Sequence, residues 1–145
     1  MNWNKHMEKT WWLLRIALAI GPFFAGLDKF FNLLTDWTMY LSPLALKVMP
    51  VSPHTFMRTV GVIEMAAGLL VLTRYTKLAA YIVCAWLVGI ALNLASTGMF
   101  FDLAVRDIEI AVAAFVLAQL TAEREAAEAS PAQTHTRLEA IARGI

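Results

Sequence analysis

In the stretch GVIEMAAGLLVL, Gly61 to Leu72, the carboxylate of Glu64 stands among residues that belong in an apolar core. Similar intrusions occur elsewhere: Asp28 and Lys29 in AGLDKFF, Arg58 in FMRTV, and Arg106, Asp107 and Glu109 in LAVRDIEIAV. Removing such groups from water is costly unless they are paired, because burial disfavours the charged form. Three kinds of chemistry are open to them. A carboxylate beside an amine can lock two helices in register. A carboxylate without a cation takes up a proton and can pass it on. A donor and an acceptor together in an apolar wall can hold the polar head of a lipid-soluble ligand.

Helical periodicity at 100° per residue sorts these groups by face. Gly61, Glu64 and Gly68 share one stripe, with the carboxylate between two residues small enough for another helix to approach closely. Arg15, Pro22, Gly26 and Lys29 share a second stripe, and Ala104, Asp107, Ala111, Ala114 and Ala118 a third. Lys29, Glu64 and Asp107 are therefore expected to meet inside a helical bundle, with Arg106 or Arg58 as further cations for Glu64. Gly26, Gly61 and Gly68 are the expected helix-packing positions. Glu109 points nearly opposite to Asp107, so it is expected to be either protonated or covered by a partner subunit.

The elements that must position these residues are apolar helices. The 145 residues are 59% hydrophobic and 16% charged, well below the charged share of about 25% usual in a soluble domain. A bilayer core about 30 Å thick needs about 20 residues of helix to cross. Four runs meet that description, at 11–34, 55–73, 77–96 and 99–120. Short connections between the last three force antiparallel neighbours, and the expected fold is an all-α, four-helix transmembrane bundle over residues 1–120. Continuation of the first run past signal-peptide length, with Arg15 inside it, favours a retained anchor over a cleaved leader. Arg15 lies roughly 6 Å into its run, within snorkelling distance of the surface.

Lys and Arg counts set the orientation. Lys5, Lys9, Arg74, Lys77, Arg124, Arg137 and Arg143 gather on one side, whereas the loop after the first run offers only Lys47. Both termini are thus expected in the cytoplasm and the chain in the inner membrane. The loop TDWTMYLSPLALKVMPVSPH then faces outward, and its Trp37, Tyr40, Leu41, Leu44 and Met49 suit the headgroup region. Residues 121–145 form a charged, Ala-rich tail, read as a cytoplasmic helical extension broken at Ser130 and Pro131, with Leu138 and Ile141 on a short amphipathic piece.

Several chemistries lack their residues. Cys84 is the single cysteine, which excludes an intramolecular disulfide or a dithiol relay. His6, His54 and His135 lie outside or at the ends of the runs, so no mid-membrane pair can clamp a haem. No Cys/His cluster suggests a metal, no Gly-rich loop a nucleotide, and a net charge of +1 gives no footing for nucleic acid. Catalysis by this chain alone is not expected, and any metal or flavin centre would sit on another chain.

LRIALAIGPFFAGLDKFF, with Arg15 followed by Gly26 and Lys29, resembles the first-helix pattern of DoxX-type membrane proteins. GVIEMAAGLLVLTRYTKLAAYIV resembles their second motif, with Gly61, Glu64, Gly68 and then Arg74. The likeness extends over roughly Leu14 to Leu120 and includes an acidic residue early in the fourth helix, here Asp107 or Glu109. Many members carry a Gly-rich, Ser-Leu-Asp-like ending where this chain has its charged tail. The resemblance implies a four-helix membrane protein similar to the small subunit of a thiosulfate:quinone oxidoreductase. On that expectation the chain is a membrane subunit or anchor of a respiratory complex, in contact with lipid and other subunits, and its Lys29, Glu64, Arg106, Asp107 and Arg58 lie near a quinone. The alternatives are a scaffold or assembly protein whose charges only hold the bundle together, and a small proton or solute path with Gly21, Pro22, Gly61 and Gly89 as weak points.

Overall fold

The computed structural model describes residues 3–129 and 141–142. Among the described residues every element is helical: α1 (Lys5–Asp28), a 3-10 turn (Trp37–Tyr40), α2 (Pro43–Val48), α3 (Pro53–Val71), α4 (Thr76–Ser96) and α5 (Phe101–Glu128). The break expected at Ser130 and Pro131 lies outside the described residues, as does Leu138.

Local chemistry explains the helix starts. Asn4 precedes α1 and its side chain accepts the N–H groups of His6 and Met7. Ser42 and Ser52 each precede a proline and accept the N–H three residues on, from Ala45 and Thr55. A serine cap followed by proline at the first helical position satisfies one orphan donor and removes another.

The clearest departure from the sequence reading is the end of the first helix. The first run was expected to remain helical to Leu34, but α1 ends at Asp28. The Asp28 carboxylate accepts the N–H groups of Leu33 and Leu34, and Asn32 adopts φ 50°, which turns the chain out of the helix. The helical extension expected after Leu120 is present as far as Glu128, because α5 continues through the polar sequence unbroken. Lys77 on α4 pairs with Glu125 on this extension at 2.5 Å.

The four long helices close into a ring. α1 packs along α3 and α4 along α5, with looser α3–α4 and α1–α5 seams. α1 and α3 run in opposite directions, since Arg15 reaches Val71 at one end and Lys29 reaches Glu64 towards the other. The connections 72–75 and 97–100 are short and make α4 and α5 antiparallel to their predecessors. One end of the bundle thus carries the N-terminus and the α3–α4 turn, and the other carries the long loop and the α4–α5 turn. A core of Trp11, Leu18, Val71, Val83, Leu117 and small alanines fills the first end. A smaller cluster of Ala91, Leu94 and Ala104, covered by Tyr40 and Phe100, fills the second.

Polarity is distributed inside out. Arg15, Asp28, Lys29, Glu64 and Asp107 are buried, while Leu13, Phe24, Val62, Leu69, Leu78, Leu92, Val105 and Val112 are exposed on the outer faces of the four long helices. Among the described residues, α1 and α4 are long and apolar enough to cross a membrane, and only 28% of the apolar window of each is buried. The core helix of a water-soluble protein would hide most of that surface.

Candidate functional site

Three glycines create the site by letting α1 and α3 touch backbone to backbone. A Cβ added to Gly26 would lie 2.5 Å from the Gly61 carbonyl oxygen, and one on Gly61 would lie 2.5 Å from that of Gly26. Gly68 repeats the arrangement against the Ala19 carbonyl, at 2.6 Å. The close crossing brings Lys29, one turn beyond Gly26, onto Glu64, one turn beyond Gly61.

Lys29 Nζ donates to Glu64 Oε2 at 2.5 Å, and the two side chains are only 4% and 8% exposed. The ammonium also stands 3.7 Å from the centre of the Trp37 ring and 3.4 Å from the Ala25 carbonyl. A desolvated cation over an indole face is stabilised by about 2 kcal/mol. Trp37 in turn donates its indole N–H to Asp28 Oδ2 at 2.8 Å, so the carboxylate that ends α1 also seats the ring over Lys29. The 3-10 turn carrying Trp37 begins at Asp36, whose side chain accepts from Thr38. Hydrogen bonds from the Thr38 hydroxyl and backbone N–H hold the Asp36 carboxyl below its ordinary pKa.

Across the bundle, Asp107 is buried on α5 and accepts from Arg106 Nε and Nη2 at 3.3 and 3.1 Å. Asp107 and Glu64 lie near enough to repel each other, and Lys29 attracts both. Two cations, Lys29 and Arg106, therefore balance two carboxylates in one neighbourhood. The α4 residue Trp86 completes it. Its indole Nε1 lies towards the Glu64 carboxylate, yet it is buried and has no hydrogen-bond partner among the described residues.

The remaining candidates fall elsewhere. Arg58 is exposed and forms no ion pair among the described residues, so Glu64 is neutralised by Lys29 and not by Arg58. Arg106 likewise serves Asp107 and not Glu64. Glu109 is exposed on the outer face of α5 and has no ion pair among the described residues. Asn93 fastens the loop to α4 by donating to the Tyr40 carbonyl at 2.7 Å and accepting the Ser42 N–H at 3.1 Å.

Arg15 does not snorkel to a surface. It donates to the Val71 and Thr73 carbonyls at 2.9 and 2.6 Å, closing the C-terminus of α3, and lies 4.7 Å from the ring centres of both Trp11 and Trp12. Arg124 covers Trp11 at 4.6 Å and binds Glu8, which also accepts from Trp3 and Trp12.

Trp37 and Trp86 are the members of the cluster that sequence reasoning did not place there. A signal existed for Trp86, since an indole N–H inside the apolar run YIVCAWLVGI needs a partner when buried. Trp37 read as an interfacial aromatic, and nothing local reveals that it folds back over Lys29.

Chemically the cluster is an ion pair with one spare donor. Grooves of about 250 Å³, beside Phe24, Asp28 and Leu34, and about 330 Å³, beside Ser42, Leu92 and Asn93, are open and mainly apolar. Neither is lined by Lys29, Glu64, Trp86 or Asp107. Among the described residues no three His, Cys, Asp or Glu side chains gather as a metal site requires. Compared with family models, curated proteins and solved structures, the chain matches none.

Proposed function

We propose that the chain is an integral membrane protein whose four long helices all cross the bilayer, and that it serves as the DoxX-like anchor subunit of a quinone-linked redox complex. The observation carrying the membrane reading is the inversion of polarity, with apolar side chains outside all four helices and five charged residues within. Charges at bilayer depth are tolerated where they face the bundle interior and pair with one another. Lys5, Lys9, Arg74, Lys77 and Arg124 all belong to the end that carries the N-terminus, and this concentration of cations supports the reading that both termini face the cytoplasm. Five of the residues behind the family resemblance, Gly26, Lys29, Gly61, Glu64 and Gly68, lie along the contact between α1 and α3.

The ligand reading rests on Trp86. Its N–H approaches the Glu64 carboxylate without reaching hydrogen-bond geometry, and it would meet a quinone carbonyl beside the Lys29–Glu64 pair. This chain would bind and orient the quinone head in an apolar wall, while electrons would arrive from a cofactor on another subunit. The scaffold reading draws on a different observation: the Lys29–Glu64 pair is already closed, as a purely structural pair should be.

Purification in mild detergent, followed by mass spectrometry of co-purifying polypeptides and quinones, separates the two. A stoichiometric cofactor-bearing protein and a quinone that is lost in Trp86→Phe are expected. A homogeneous chain with neither would reject the redox reading and leave the scaffold.

A further inference from the structure

We propose that the outer face of α5 around Glu109 is the contact between two copies of this chain, related by a two-fold axis along the membrane normal. The inference rests on the reading of α5 as a membrane-crossing helix. Asp102, Arg106, Glu109 and Ala113 lie on one stripe at 100° per residue, flanked by Val105 and Val112. All of these but the half-buried Ala113 are exposed. Glu109 stands about 12 Å along the helix from Phe101, close to the middle of a hydrocarbon core about 30 Å thick. A carboxylate at that depth needs a cation.

The cation it needs is displayed on the same face. Arg106 spends Nε and Nη2 on Asp107, which leaves Nη1 without a partner among the described residues, and its side chain is 58% exposed against 7% for Asp107. Within one copy Arg106 turns to Asp107 and not to Glu109, although Glu109 is one turn away on its own helix.

In a two-fold pair the α5 helices run in the same direction and equivalent residues sit at equal depth. Each Arg106 then faces the partner's Glu109 with an axial offset of about 4.5 Å, three residues of helical rise. Two equivalent bridges form at once, and each Arg106 joins its own Asp107 to the carboxylate of the other copy. The small side chain of Ala113 between them allows the helices to approach. A foreign subunit would have to supply a cation at this depth, whereas a second copy already carries it.

The test uses the full chain in phosphatidylcholine vesicles at low protein density, with energy transfer between two different N-terminal tags reporting association. Wild type should associate. Glu109→Arg alone and Arg106→Glu alone should each lose association about tenfold or more, because like charges then meet across the axis. Mixed together, the two variants should recover it, since one copy offers two cations to the two anions of the other. Recovery on mixing also shows that both chains fold. Glu109→Gln, which keeps the shape and removes the charge, carries the same expectation of weakened association if the reversed chains do not fold.

Monomeric wild type, undiminished association in Glu109→Gln, or variants that associate as well alone as when mixed would each overturn the proposal. Monomeric wild type would assign the face to a different subunit. Alkaline carbonate extraction beforehand isolates the underlying reading: a chain released from membranes would reject membrane insertion itself, whereas a retained but monomeric chain would reject only the two-fold contact.

Discussion

The two ends of the bundle solve the same problem with different completeness. At the end carrying the N-terminus, Arg15 closes α3 through two carbonyls, Thr76 donates to the same two, Trp11 donates to Thr121, and Arg124 joins Glu8 to the Trp11 ring. Every polar group named there has a partner. Around Lys29 and Glu64, one carboxylate is met at 2.5 Å, Asp107 is held by an arginine that is itself half outside, and Trp86 Nε1 is left over. A buried donor without an acceptor costs about 1–3 kcal/mol, and selection for stability alone would remove it. The saturated end is a clamp, whereas the other keeps a donor to spare, the feature on which the proposed ligand contact rests.

Breaking the ion pair should give the largest effect. Glu64→Gln leaves Lys29 buried without its counterion, and the expected loss is about 3–5 kcal/mol, read as a fall in the thermal unfolding midpoint in detergent. The double change Lys29→Met with Glu64→Leu should restore most of that stability, since an apolar pair of similar volume often matches a buried ion pair. A double variant as unstable as Glu64→Gln would mean that the pair is held by more than charge.

Gly61→Ala should follow, at about 3 kcal/mol, the upper part of the range for overpacking, because the added methyl meets a backbone oxygen that cannot move aside. The helices would separate at the crossing and open the Lys29–Glu64 contact while leaving the Arg15 clamp in place. Hydrogen exchange that rises on α1 and α3 near Gly26 and Gly61, and not near Val71, is the expected pattern. Arg15→Met should cost less, about 2 kcal/mol, because the Thr76 hydroxyl still serves the Val71 and Thr73 carbonyls. Increased exchange near residues 71–76 with the loop end unchanged would confirm that the two ends fail separately.

The sequence made part of this architecture legible for physical reasons. Helical stripes of small residues announce close packing whatever the partner, so Gly26, Gly61, Gly68 and the alanines of α5 were readable, and the Lys29–Glu64 contact followed from two stripes alone. Contacts between distant segments were not readable where flexible side chains chose among several partners. Arg106 was expected as a further cation for Glu64, and geometry assigned it to its own neighbour Asp107. The end of α1 was missed because Phe30 to Leu34 remain apolar, and the stop comes from the Asp28 carboxylate binding the backbone that follows it. Trp37 was invisible as a cover for Lys29 because its position depends on that same turn.

Two conservative tryptophan changes sharpen the contrast with the smallest effects. Trp11→Phe removes a donor that is satisfied at 2.8 Å by Thr121, and the hydroxyl keeps its own bond to the Leu117 carbonyl. The lost hydrogen bond contributes about 1 kcal/mol to the expected cost. Trp86→Phe removes a donor with no partner, so it should cost less than Trp11→Phe even though each change trades an indole for a smaller ring. The excess of the first cost over the second, measured by urea or thermal unfolding in one detergent, reports the Thr121 hydrogen bond together with the Arg15 and Arg124 contacts to the Trp11 ring. Equal costs would show that the Trp86 N–H is satisfied in the folded protein, for instance by water or by the Glu64 carboxylate, and the loop end would then be as saturated as the clamp. A smaller cost combined with loss of bound quinone would separate the two ends by purpose as well as by structure, because the donor that contributes nothing to folding would be the one that binding requires.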